Sequence, residues 1–392
     1  MKILIVNKFL HPNGGSETYI FKLGEQLQAL GHEVQYFGME HEDRCVGNSA
    51  EQYTVNMDFH GGSVLKKLTY PVKTIYSAEA KRKMKLVLDD FKPDIIHINN
   101  FNYQLTPSIL YAADDYKKSA GKKVKIVYTA HDGQLVCPNH LMFDSDEQLC
   151  DRCLGGKFTN CAKHNCIHGS KAKSVIGTAE AMLYRRLGTY KYIDAIICCS
   201  EFMKNKLDTY SLLKDKTTVL HNFVDVPKVD NAEKKGYVLY FGRYGKEKGV
   251  ETLLETKGVN FVAAGSGEFE EQINAAEHIE NIGFKSGDEL AEIIAGAACT
   301  VCPSICTENC PFSVMESIAL GTPVVGSNIG GIPELIENGK TGVLFKRGDS
   351  ADFERAINEV LEKSDEMSKN CRDAGFDTLE TYCEKLMKIY TE

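Results

Sequence analysis

The stretch "SICTENCPFSVMESIALGTPVVGSNIGG", residues 304–331, sets two carboxylates, Glu308 and Glu316, eight positions apart around a proline and an apolar run. The run Thr300–Pro303 just ahead predicts a strand that delivers Glu308 into a loop. Pro311 suits a first helical turn, Ser313–Leu320 carries a helical pattern, and the Gly-Thr-Pro turn opens a second strand at Pro323–Gly326. Strand, loop, helix, turn and strand in that order make a parallel crossover unit. Its helix entry would offer free backbone N–H groups near Phe312–Val314 and the positive end of the helix dipole, a setting that favours phosphate. Carboxylates beside it can accept hydrogen bonds from vicinal hydroxyls, so a ligand with both diols and phosphates would use every group. Without such a ligand the pair is only a capping acid and an exposed helical Glu.

The same alternation runs the length of the chain. Further candidate strands are Lys2–Asn7, Glu33–Gly38, Ile95–Asn99, Lys125–Ala130, Ala195–Cys199 and Thr217–Leu220, then Tyr237–Gly242, Asn260–Ala264 and Gly342–Phe345. Helical patterns fall at Thr18–Leu30, Glu79–Phe91, Glu180–Leu187, Val250–Thr256 and Ala351–Ser364. An α/β architecture follows, with two Rossmann-like parallel-sheet domains facing a cleft at the carboxyl ends of their strands. The polar stretch "NFVDVPKVDNAEKKG", residues 222–236, reads as the linker. Domains are therefore expected at 1–222 and 223–375, with a C-terminal helix over 376–392 returning to the first domain.

Composition narrows the class. The chain has 392 residues, 43% hydrophobic and 26% charged, as in a soluble globular protein. No apolar run approaches the roughly 20 residues of a membrane span. The opening "MKILIVNKF" is too short for a secretory h-region, which favours a cytoplasmic location and reduced thiols for the 14 cysteines. A net charge of −8 excludes generic nucleic-acid binding. That charge is uneven: residues 1–220 carry 29 Lys and Arg against 24 Asp and Glu, the rest 17 against 30.

Three more segments carry candidate chemistry. In "LYFGRYGKEKGVETLLE", residues 239–255, Arg243 and Lys248 flank a turn at a strand's carboxyl end. Two cations there could neutralise a diphosphate, Arg bidentately and Lys as a point charge, although such clusters are commonly solvated turns. In "FLHPNGGSETYIF", residues 9–21, Gly14 and Gly15 permit close approach of a ligand and Ser16 can cap the following helix. "YTAHDG", residues 128–133, ends a strand with His131 and Asp132, either a satisfied loop pair or a polar pair that meets substrate.

Together these segments resemble the retaining glycosyltransferases of family 4, the large GT-B group also called glycosyltransferase group 1. The likeness covers nearly the whole chain: "GGSE" after the first strand, "HD", "GRYGKEKG", "GSG" at 265–267, and "ENCPFSVMESIALGTPVV". The last segment, E-x7-E followed by A-x-G-x-P-V, is the most specific; "ENCPF" departs from the glycine-containing form common in the family. The resemblance implies transfer of a hexose from a UDP- or GDP-sugar to a saccharide or polyprenyl-linked acceptor, as in cell-surface polysaccharide synthesis. It implies that Glu308 holds donor-sugar hydroxyls and Glu316 the ribose, that Arg243 and Lys248 bind the diphosphate, and that the backbone of Asn309, Cys310, Pro311, Phe312 and Ser313 assists. Gly14, Gly15 and Gly265 would line the donor, and His131 would sit beside the transferred sugar. No cofactor is required for such catalysis, because positive charge preorganised around the leaving group takes the place of an acid or a metal. Within the same fold a sugar-nucleotide epimerase or a phosphorylase is the alternative; a non-catalytic nucleotide-sugar-binding scaffold is another.

Two features lie outside that pattern. The insertion "CPNHLMFDSDEQLCDRCLGGKFTNCAKHNCIHG", residues 137–169, places Cys137, Cys150, Cys153, Cys161 and Cys166 within some thirty residues. A C-x2-C pair with two further thiols suits a structural zinc, with an Fe–S cluster or plain reduced or disulfide-linked thiols as alternatives. Its "DSD", residues 144–146, reads as a solvated turn. Two basic, partly amphipathic segments, residues 63–88 and 170–192, suit either solvated helix faces or peripheral contact with an anionic membrane.

Overall fold

The computed structural model describes residues 1–56, 73–229 and 233–392. The chain forms two units: Met1–His221 together with Leu379–Glu392, and Asn222–Thr378.

The first unit is built on β1 (Lys2–Val6), β2 (Glu33–Phe37), β3 (Ile95–Ile98), β4 (Lys125–Ala130), β5 (Ala195–Cys198) and β6 (Thr217–Val219), in sheet order β2-β1-β3-β4-β5-β6. Every pairing is parallel. Runs such as "KILIV" and "IIHI" are buried almost continuously rather than alternately, because helices cover both faces of a parallel sheet. Leu4, Val6, Ile96, Ile98, Ile126 and Tyr128 form the middle of one core with Met84, Leu88 and Ile109.

The helix Leu379–Thr391 is fastened to this unit by buried polar groups. Tyr382 and Tyr19 share a hydrogen bond of 2.7 Å between their hydroxyls. His97, at the centre of β3, bonds Tyr390 OH through Nδ1 at 2.6 Å and Thr129 Oγ1 through Nε2 at 2.7 Å. Burial, with His131 nearby, lowers the His97 pKa to about 3, so the ring is neutral.

The second unit contains β7 (Val238–Phe241), β8 (Phe261–Ala264), β9 (Ile279–Asn281), β10 (Cys299–Cys302), β11 (Val324–Ser327) and β12 (Gly342–Phe345), in order β12-β11-β10-β7-β8-β9, again all parallel. Val238, Tyr240, Phe261, Val301 and Val325 pack with Phe353, Ile357 and Val360 of the helix Ser350–Glu362.

Several local expectations change. Ser16 does not cap the first helix, Gly15–Ala29: Gly14 occupies that position, and the Ser16 hydroxyl donates instead to Glu17 Oε1 at 2.9 Å. The helix expected at Glu180–Leu187 begins at Lys171, because Ser170 caps it while Gly177 and Thr178 interrupt its apolar period. The stretch read as a linker is held to the second unit at both ends. Phe223 is fully buried, Val224 bridges Thr378, and Lys234 Nζ donates to Thr322 Oγ1 at 2.7 Å; residues 230–232 lie outside the described residues. The "DSD" turn is solvated at Ser145 and Asp146 but not at its first residue. Asp144 is buried, accepts from the backbone N–H groups of Asp146 and Gln148, and pairs with Arg152 at 2.5 Å.

Candidate active site

In the second unit the chain runs outward from β7 through β8 to β9, then returns to place β10 on the other side of β7. The carboxyl ends of β7 and β10 therefore flank a topological switch point, where sheets of this kind leave a crevice. The loop after β7 carries Arg243 and Lys248, and the loop after β10 carries Ser304 and Glu308. Across the switch point Lys248 Nζ meets Glu308 Oε1 at 2.6 Å, and Ser304 Oγ donates to the same oxygen at 2.8 Å. Burial pushes the Glu308 carboxyl up, but the Lys248 ammonium, both hydrogen bonds and the Arg243 charge outweigh it and hold the pKa below the usual carboxylate range. The Glu308 charge in turn raises the Lys248 pKa well above its ordinary value. Arg243 is ion-paired with Glu247 and is 66% exposed, so its guanidinium remains open to an anion.

The surrounding backbone is tightly drawn. A Cβ on Gly265, at the end of β8, would stand 1.9 Å from the Gly242 carbonyl, so only glycine lets these two loops touch. Gly330, at φ +58°, comes so close to the Glu308 loop that a Cβ would lie 2.1 Å from the Glu308 carbonyl oxygen, which accepts from Gly331 N at 2.8 Å.

The helix Phe312–Ala319 opens at Pro311 with no side-chain cap. Asn309 is buried, Pro311 and Ser313 are half-buried, and Glu316 is half-buried on that helix. Phe312 packs edge-on against Phe223 at 5.8 Å. The Cys310 side chain is turned inward, its sulfur accepting from Asn222 N at 3.4 Å and lying 3.5 Å from Met315 Sδ, which leaves only its backbone for a ligand.

The first unit has its own switch point, between β1 and β3. His131 follows β4 nearby, and its Nε2 donates to Asn99 Oδ1 at 2.9 Å; burial lowers its pKa to about 4, so Nδ1 is an acceptor. Gly14 and Gly15 are exposed at the entry to the first helix. Asp132 is raised to about 6 by burial, against the opposing pull of the Gln134 N–H and Lys8. Glu17, buried, accepts from Asn7 Nδ2 at 2.8 Å, and its pKa is raised by burial.

Thus Lys248, Glu308 and Arg243 come together with Ser304, and Asn309–Ser313 and Glu316 continue from the same loop. His131, Gly14 and Gly15 belong to the other unit. Ser304, Glu247, Lys8 and Asn99 were not foreseen, although each except Glu247 stands within two residues of a strand's carboxyl end.

All fourteen cysteines are free thiols. In the insertion Cys137, Cys153 and Cys161 are buried, and Cys150, Cys153, Cys161 and Cys166 feel one another electrostatically. Burial raises Cys153 to about 11 and Cys161 to about 12. The donor chemistry fits zinc, yet among the described residues no three His, Cys, Asp or Glu side chains are gathered as a metal site.

Residues 13–228 match the model of Glycosyltransferase Family 4, and residues 224–378 that of Glycosyl transferases group 1. An uncharacterised glycosyltransferase of Methanocaldococcus jannaschii is 28% identical over 53% of this chain and 61% of its own length. The N-acetyl-alpha-D-glucosaminyl L-malate synthase of Bacillus anthracis is 24% identical over 96% of this chain and 92% of its own. Among solved structures, Anabaena Alr3699/HepE in complex with UDP superposes with a TM-score of 0.68 at 16% identity, covering 99% of both chains. Two six-stranded parallel sheets, a family model spanning more than half of the residues, and that full-length likeness agree: the chain belongs to glycosyltransferase family 4 and has the GT-B fold.

Proposed function

We propose that this glycosyltransferase moves a hexose from a UDP- or GDP-sugar to a saccharide or lipid-linked saccharide acceptor, with retention of anomeric configuration, in the assembly of a cell-surface polysaccharide. The observation that carries this reading is the Lys248–Glu308–Ser304 cluster at the β7/β10 switch point, with Arg243 exposed beside it. Lys248 and Arg243 supply positive charge where a diphosphate would leave, and the leaving group takes the electron pair of the broken sugar–oxygen bond. Glu308, kept ionised, accepts from sugar hydroxyls, and Glu316 from the ribose. Asn309–Ser313 offer backbone N–H groups and Gly265 closes the loop beneath; in the first unit, His131, Gly14 and Gly15 are the groups assigned to the donor. The UDP held by the Anabaena relative supports a nucleotide donor.

Contact with an anionic membrane surface is part of this reading. The helix Lys171–Leu187 exposes Val175, Met182 and Leu187 beside Lys171 and Arg186. Residues 63–72 of the other basic segment lie outside the described residues, and its remainder runs into the helix Ala78–Phe91. Among the described residues no helix is long and apolar enough to cross a membrane.

The test is release of nucleoside diphosphate from a panel of UDP- and GDP-sugars, with and without saccharide acceptors, by wild type and Glu308→Ala. Turnover of at least one donor, lowered about 100-fold or more in the variant, is expected. No turnover of any donor by either protein would contradict the reading.

A further inference from the structure

We propose that the cysteine-bearing insertion forms part of the acceptor site, with His140 as a specificity-determining residue for a hydroxyl-rich saccharide. This rests on the reading of the protein as a sugar transferase, and it concerns the first unit alone.

The insertion's opening turn is folded back onto the end of β4. Gly133 N donates to the His140 carbonyl at 2.9 Å, and His140 N to the Cys137 carbonyl at 2.9 Å. The His140 backbone is left-handed, with φ +62°, as is that of Tyr103 at the same value. Such conformations are costly for residues with a Cβ and persist where the surroundings impose them. Here the two rings pack at 4.8 Å, and Tyr103 OH donates to the Pro138 carbonyl at 2.5 Å. The imidazole is thereby aimed at the strand ends. Its Nδ1 bonds Asn102 Nδ2 and stands 3.8 Å from Asp132 Oδ2. Lys8, the second residue beyond β1, reaches Asn102 Oδ1 from the other side at 3.3 Å. An imidazole from the insertion, an amide after β3, a carboxylate after β4 and an ammonium after β1 thus share the β1/β3 switch point.

The same strand-end loops hold acceptor atoms buried without a hydrogen bond: Asn100 Oδ1, Gln104 Oε1 and Gln134 Oε1. Asn100 is fixed in place, since its N–H bonds Asn7 Oδ1 at 3.0 Å and its amide bonds Ser16 Oγ at 3.0 Å. Orphaned buried acceptors are costly unless a ligand supplies donors. The site therefore mixes donors with acceptors and has no surplus of positive charge. Asp132 and Glu17 would repel a phosphate, and Lys8 would repel a cation. Vicinal hydroxyls, which both donate and accept, match the set.

The test is ligand-observed NMR on the full chain with methyl α- and β-glycosides of glucose, galactose and mannose, alongside calorimetric titration with UDP and GDP. At least one glycoside is expected to bind wild type and to bind about tenfold more weakly in His140→Ala. His140→Gln, which keeps a hydrogen-bonding group beside Asn102, should recover part of that loss, with nucleotide affinity within twofold throughout. Melting temperatures within about 2 °C show that the variants fold. Equal glycoside binding by wild type and His140→Ala, or none by any protein while a nucleotide still binds, overturns the proposal and leaves the transferase reading standing. If neither nucleotide binds wild type, the transferase reading itself fails.

Discussion

Replacing Glu308 should strengthen the binding of a bare nucleoside diphosphate while weakening use of the whole sugar nucleotide. Lys248 Nζ is held by Glu308 Oε1 at 2.6 Å, so a diphosphate has to share that cation with a carboxylate. A fully buried pair loses about 3–5 kcal/mol when one partner is removed. Here the Glu308 side chain is 13% exposed and that of Lys248 is 34% exposed, and screening of the ammonium reduces the figure to about 1–2 kcal/mol. Glu308→Gln keeps the shape and removes the charge, and should tighten UDP or GDP about 5- to 30-fold. Lys248→Met removes a charge-assisted hydrogen bond worth about 1.5–3 kcal/mol and should weaken the same ligand about 10- to 150-fold. Isothermal titration at fixed ionic strength measures both. Transfer from the sugar nucleotide should fall in both variants, because Glu308 also serves the sugar. Weaker nucleoside diphosphate binding by Glu308→Gln would refute the assignment of Lys248 as a phosphate ligand held in reserve by Glu308.

Other outcomes follow from the same structure. His97 has a pKa near 3 in the fold against an ordinary 6.5, so the unfolded chain takes up a proton that the folded chain refuses. Its contribution is complete above pH 6.5 and is lost as pH falls toward 3, about 2 kcal/mol by pH 5. His131 and His140 act in the same direction, and the three rings outweigh Asp132 and Glu180, whose carboxyls, raised to about 6 and about 8 by burial, act against them. The urea midpoint should therefore drop between pH 7 and pH 5, and an unchanged midpoint contradicts the neutral buried rings. Gly330→Ala forces a Cβ against the Glu308 carbonyl at φ +58° and should cost about 1–3 kcal/mol together with nucleotide binding, both read by thermal melting with and without UDP. A structural zinc on the insertion's thiols, proposed from the C-x2-C spacing, would draw Cys150, Cys153, Cys161 and Cys166 together. Elemental analysis of anaerobically purified protein should give about one zinc per chain, lost in Cys150→Ser; metal-free, stable protein would rule it out.

The α/β class was legible because buried parallel strands are short continuous apolar runs, and "KILIV", "IIHI" and "VLYF" are plain examples. Strand β9, three residues with Glu280 at its centre, lacks that signal and was missed. Arg243, Lys248 and Glu308 were legible because each follows a predicted strand end. Their pairing was not, since which strand ends become neighbours depends on sheet order: β10 adds beside β7, not beside β9. Phe223 made the supposed linker a packed segment, a contact invisible in a polar stretch. His140 was hidden for a different reason. A histidine among cysteines suggests metal, and only the left-handed turn at residue 140 directs it toward Asn102 and Asp132.

The most direct measurement is a crystal structure of the protein soaked with UDP or GDP. The diphosphate is expected against Lys248 and Arg243 at the β7/β10 switch point, with the Lys248–Glu308 contact lengthened from 2.6 Å. A nucleotide seated elsewhere in the second unit, with that ion pair undisturbed, would contradict it.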